Sequence, residues 1–78
     1  MTIEIQGVLN ILAGTTGLAE DAAANKWAGT SGLSMIGALN KKNGTYGLGL
    51  NLVCNQLAST SGLYAVAALN SLANNGPP

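Results

Sequence analysis

Gly14-Thr15-Thr16-Gly17-Leu18 is the stretch that decides the fold, because the chain repeats it with small changes. Gly29-Thr30-Ser31-Gly32-Leu33, Gly44-Thr45-Tyr46-Gly47-Leu48 and Ser59-Thr60-Ser61-Gly62-Leu63 follow, each starting 15 residues after the last (14, 29, 44, 59). The segments between keep the same register. Asn10, Asn25, Asn40, Asn55 and Asn70 form one series, and Val8, Ala23, Ala38, Val53 and Ala68 form another two places earlier. Ile3 falls in line with Leu18, Leu33, Leu48 and Leu63. A fixed period of this kind marks a repeat architecture. The chain reads as five copies of one unit, the first entered partway and the last followed by a short tail.

Each unit predicts a short helix and a tight turn. Leu18 to Ala28 is built mostly of strong helix formers, with Glu20 and Asp21 near the positive end of the helix dipole and Lys26 near the other. Thr15 or Thr16 is the expected N-cap. Gly29 is the expected left-handed residue that closes the helix, as Gly14 and Gly44 are in their units. Copied along the chain, this places helices near 3–12, 17–28, 32–42, 47–58 and 62–73. Linkers of three or four residues fold each helix back on its neighbour. The expected fold is therefore all-α: five short antiparallel helices in a single domain over 1–73, with an Asn/Gly/Pro tail over 74–78. A β-solenoid shares the short Gly-rich period, but the alanine-rich segments oppose it because Ala is depleted in strands.

Composition narrows the function. In 78 residues there are three basic and three acidic side chains, 8% charged in all, and a net charge of zero. All six lie within the first 42 positions, so residues 43–78 carry none. Near-zero charge and apolar surface both favour association, which predicts a chain that works inside an assembly, with a poorly soluble small monomer as the alternative. A nucleic-acid partner demands a basic face, and none is written here. No signal peptide is legible at Met1-Thr2-Ile3-Glu4, and the longest apolar run, Leu63 to Leu69, is far short of the ~20 residues that span a bilayer. A single cysteine fits maturation in a reducing cytoplasm.

Candidate chemistry is sparse. Without histidine the commonest general base and metal ligand is missing. Cys54 stands where other units have Leu9, Leu39 and Leu69, and so reads as a small buried hydrophobe. Glu20 and Asp21 point about 100° apart on a helix, which makes neither an acid/base pair nor a metal cage. The Gly-Thr turns look like phosphate-cradling loops, but lack the P-loop spacing and its lysine. No catalytic, cofactor-binding or metal site is expected, and no small-molecule substrate; the chain is not read as an enzyme.

The structural residues are the five asparagines and the turn glycines Gly14, Gly29 and Gly44. Each asparagine shares a face with the leucine of its unit, where a polar group costs energy unless bonded. Its amide offers two donors and an acceptor to the adjacent turn; the alternative is an exposed polar residue at the helix end. Trp27 replaces a leucine of the series Leu12, Leu57, Leu72, which admits a core role and a contact role alike. Outward positions turn apolar toward the C-terminus: Glu20 and Asp21 in the second unit correspond to Met35 and Ile36, Leu50 and Asn51, Ala65 and Val66. The expected partner-binding residues are Tyr46, Leu50, Tyr64 and Val66, on the fourth and fifth helices and their turns, since aromatic side chains are common interface anchors. Glu4, Glu20, Asp21 and Lys26 are expected to face solvent.

Three strings, Ala13-Gly14-Thr15-Thr16-Gly17-Leu18, Ala22-Ala23-Ala24-Asn25-Lys26-Trp27-Ala28-Gly29-Thr30 and Gly37-Ala38-Leu39-Asn40, resemble a repeat found in virion proteins of tailed phages that infect actinobacteria. There it occurs in capsid- and tail-associated components. The resemblance covers roughly residues 7–73, with two departures: Ser59 for a turn glycine, and the polar Lys41-Lys42-Asn43-Gly44. It implies a structural role in the particle, made in the host cytoplasm, with no catalytic residues. The implied partners are other virion proteins, the major capsid protein first, and further copies of the chain itself. A minor tail component and a non-viral helical adaptor are the alternatives.

Overall fold

The computed structural model describes residues 3–74; the expected tail beyond Asn74 lies outside them. Five helices of nearly equal length follow one another: α1 Ile5–Ala13, α2 Glu20–Ala28, α3 Met35–Asn43, α4 Leu50–Ala58 and α5 Ala65–Asn74. The architecture is all-α, built from the 15-residue helix-turn unit, with the chain turning back at each Gly-Thr turn.

Four of the five helices begin three residues later than the repeat suggests, and α1 begins two later. The reason lies in the turn. After α1, Gly14 takes a left-handed conformation (φ 72°), its N–H donates to Ile11 O at 3.2 Å, and the Thr15 N–H donates to Asn10 O at 2.9 Å. This is the paired-bond helix stop that glycine favours. The chain then bends at Thr16 and Gly17, where Gly17 is again left-handed (φ 72°), and reaches the extended Ala19, which is the true N-cap of α2. Leu18 cannot start a helix because its N–H and C=O are both taken by the Asn10 side chain. Thr15 is not the cap expected of it; its hydroxyl donates to Asn10 Oδ1 at 2.8 Å. Ser59 closes α4 in the same left-handed region (φ 59°), the only described residue other than glycine with positive φ.

The helices do not form an open row. Each touches its neighbours in sequence, and α5 touches α1. The molecule measures 28 × 27 × 19 Å, two long dimensions and one short, as a closed ring of five units does. Inward positions repeat faithfully. Val8, Leu9, Ala23, Ala24, Ala38, Leu39, Val53, Cys54, Ala68 and Leu69 are fully buried in one continuous core. Leu12 and Leu72 flank it, and Trp27 is half-buried against it, so the tryptophan joins the core side of its two readings.

Candidate partner surface

What positions the outer side chains is the joint between units, and each joint is governed by one asparagine. In the first, Asn10 Nδ2 donates to Gln6 O at 2.8 Å and to Leu18 O at 2.9 Å. Its Oδ1 accepts from the Thr15 hydroxyl at 2.8 Å and from the Leu18 N–H at 3.1 Å. Asn25, Asn40 and Asn55 repeat this set on Thr30 and Leu33, Thr45 and Leu48, Thr60 and Leu63. Both amide protons and both acceptor lobes are used, which is what a buried amide requires. Among the described residues no buried side-chain polar atom lacks a partner. The fifth joint has no peptide link across it, yet it is made the same way: Ile3 N–H donates to Asn70 Oδ1 at 3.0 Å, and Asn70 Nδ2 donates to Ile3 O at 2.8 Å. Ile3 thus stands where a fifth leucine would.

Polar side chains on the outer edge reinforce some joints and leave others bare. Asp21 Oδ1 accepts the first N–H of α3, from Met35, at 2.8 Å, and Asn51 Oδ1 accepts the first N–H of α5, from Ala65, at 2.8 Å. Gln6 Nε2 donates to Leu18 O at 2.9 Å. The corresponding residues of the third and fifth units are Ile36 and Val66, which have nothing to offer a backbone amide. At another place in the unit, Lys42 breaks the apolar series Leu12, Trp27, Leu57, Leu72, and its Nζ lies 5.2 Å from the centre of the Trp27 ring. That is cation–π distance.

Most of the apolar exterior gathers on α3, α4 and the turns beside them, although Ile11 on α1 is 54% exposed. A groove of about 820 Å3 runs along α3, lined by Leu33, Ser34, Ile36, Gly37, Lys41 and Tyr46 among others. A second, of about 400 Å3, runs along α4 between Leu52, Gln56, Leu63 and Tyr64. Tyr46 is 99% exposed and Tyr64 77%, while Ile36 and Leu52 are exposed by 41% and 52%. Among the described residues no cluster of histidine, cysteine or acidic side chains could hold a metal ion, and no helix is long and apolar enough to cross a membrane. Cys54 is fully buried and burial pushes its thiol up to about 11, the opposite of an activated nucleophile.

No protein-family model, curated protein or solved structure matches the chain.

The four residues singled out for a partner part company. Tyr46 rims the first groove and Tyr64 the second. Leu50 is corrected: it is half-buried and packs on the core, as Ile5 and Met35 do at the same place in their units. Val66 is half-buried on α5 and lines neither groove. Glu4, Asp21 and Lys26 are exposed, and Glu20 is half-buried. The apolar surface is therefore centred one helix earlier than expected, on α3 and α4 rather than α4 and α5. Ile11, Leu33 and Leu63 were missed as surface residues, and Ile36 was read as outward-facing but not as partner-binding. The signal for Ile36 was present, since an isoleucine stands where other units have Gln6, Asp21 and Asn51. Leu33 and Leu63 gave none, because every unit has an aliphatic residue there.

Proposed function

We propose that this chain is a structural protein of a tailed-bacteriophage virion, a small capsid-associated subunit that binds the particle through the outer face of α3 and α4. The observation that carries the binding face is the pair of grooves with Leu33, Ile36, Tyr46, Leu52, Leu63 and Tyr64 exposed around them. The polar side chains of the interior are already committed to holding turns, which leaves contact as the use for the exterior. Covering one large apolar side chain is worth roughly 1.5–3 kcal/mol, so two or three such residues make a useful contact when it is repeated over a lattice. The resemblance of the repeat to phage virion proteins supports the assignment to the particle, and the major capsid protein is the proposed partner.

The test is incorporation into particles, read by quantitative mass spectrometry of purified virions. Wild-type chain is expected in many copies per particle. Ile36→Glu and Leu52→Glu are expected to abolish incorporation, whereas Ala22→Glu, on the exposed side of α2, is expected to leave it intact. If Ala22→Glu abolishes incorporation and Ile36→Glu does not, the binding face is wrong. A one-to-one complex with a soluble protein, and no copies in virions, supports the adaptor reading instead.

A further inference from the structure

The ring is closed by a joint that any second copy of the chain also carries. Ile3 and Asn70 meet through the same amide pattern that joins Leu18 to Asn10, but without a peptide link between the two units. Asn70 is only 7% exposed, so opening the joint leaves a buried amide that must find another backbone N–H and C=O. A second molecule offers an identical Ile3. Opening two rings into one ring of ten units would answer the hydrogen bonds but would pull the core apart, because Val8, Leu39, Val53 and Leu69 all meet in one cluster. Exchange of a single helix keeps both the bonds and the core.

One end helix is better placed to exchange than the other. The turn that leads into α5 contains Ser59, at φ 59° in the left-handed region. The other three helices that end in a turn are closed by Gly14, Gly29 and Gly44. A side chain in that conformation is strained, and the strain is released when the turn opens into a connecting segment. The turn leading from α1, with Gly14 and Gly17, stores no such strain.

We propose that α5 is exchanged between two copies of this chain, with Ser59–Gly62 as the hinge, so that Asn70 of each molecule grips Ile3 of the other and Asn55 of each grips Leu63 of the other. This is a two-fold domain swap, and it makes a dimer in which the Asn55–Leu63 and Asn70–Ile3 pairings are rebuilt between molecules, while the Thr60 bonds to Asn55 are given up where the hinge opens. Within one chain the joint is favoured by its short connection, whose effective concentration is on the order of millimolar. The exchanged dimer therefore forms when molecules fold together at or above that concentration. The inference concerns the chain alone in solution and stands or falls apart from the virion reading.

The experiment uses the full chain. Isotopically labelled and unlabelled copies are unfolded, mixed and refolded together at ~1 mM, then diluted and weighed by native mass spectrometry. Mixed-label dimers are expected, absent from samples refolded at ~1 µM, well below that effective concentration. Ser59→Gly, which removes the hinge strain while keeping the sequence of the joint, is expected to lower the dimer fraction by about tenfold. A complementation arm pairs Ile3→Pro, which cannot donate to Asn70, with Asn70→Leu, which cannot receive Ile3. Mixed, the two restore one intact joint in a heterodimer only, expected to exceed either homodimer by about tenfold. Wild-type chain that refolds at ~1 mM as monomer alone overturns the proposal, whatever the variants do. Dimers that are undiminished by Ser59→Gly overturn the hinge and with it the assignment to α5.

Discussion

The inner face of the ring and its outer face obey different rules. On the inside, Val8, Leu9 and Asn10 and their counterparts in all five units are buried alike, and the first four asparagines make the same four bonds. On the outside, one place in the unit is filled in turn by Gln6, Asp21, Ile36, Asn51 and Val66. The inner face is constrained because the ring closes only if the turns that its joints add sum to a full circle. A single deviant joint would leave Ile3 short of Asn70. The outer face carries no such condition, so its differences are where one side of the molecule is made unlike another. Partner specificity belongs there.

The largest expected effect comes from breaking the inner rule. Asn40→Ala leaves the Leu48 N–H and C=O and the Thr45 hydroxyl without their partner, and is expected to cost about 3 kcal/mol or more. For a chain of this size that approaches the whole stability, and urea denaturation measures it. Asn43→Ala, which removes bonds only to Thr45 and the Gln56 side chain at the edge, is the outer counterpart and is expected to cost under about 1 kcal/mol. If the two variants melt alike, the distinction between inner and outer polar groups fails.

Cys54 sharpens the same contrast through pH. Its buried thiol is held protonated to about 11 in the folded chain, while in the unfolded chain it ionises as an ordinary cysteine. Below the ordinary value the two states bind the same proton and stability is flat in this group. Above it the unfolded state releases the proton first, so stability falls as pH rises through the folded value. The drop is of the order of 2–3 kcal/mol across that window. Comparing denaturation of wild type with Cys54→Ala between pH 8 and 11.5 isolates it; equal slopes would mean that the thiol is reached by solvent in the folded ring.

Ser59→Gly tests the one joint whose turn departs from the pattern. Because Ser59 sits at φ 59°, glycine there is expected to stabilise the chain by about 1 kcal/mol, read as a rise in Tm. The smallest effect is predicted on the outside: Tyr46→Ala and Tyr64→Ala, exposed by 99% and 77%, are expected to move stability by no more than about 0.5 kcal/mol. Their consequence should appear only in partner binding. A clear loss of stability in Tyr46→Ala would make the outer face part of the fold after all.

Much of the fold was legible because local patterns recur in register. The Gly-Thr turns, the helix between them and the role of glycine as the helix stop can each be argued from a few adjacent residues. Leu18 and Ala19 were misread as helix because both are good helix formers; the extended backbone there is imposed by Asn10, eight residues away from Leu18. That offset in the helix start also turned Leu50 outward in the sequence reading, when the first residue of α4 faces the core. Tyr46 and Tyr64 were legible as surface residues because each sits in or beside a turn.

What the sequence by itself determined is the unit: fifteen residues, one helix, one turn, one asparagine whose amide must be satisfied, and an all-α class that follows from composition and period. The alignment of Ile3 with the leucine series was visible as well, but not its meaning. Only the tertiary structure decided that five units close, that Ile3 completes the fifth joint, and that most of the exposed apolar groups gather around α3 and α4. The physical reason is that closure depends on the rotation each joint adds, summed over all of them. No residue encodes that sum, and which side chains end up outside is settled only when the last helix meets the first.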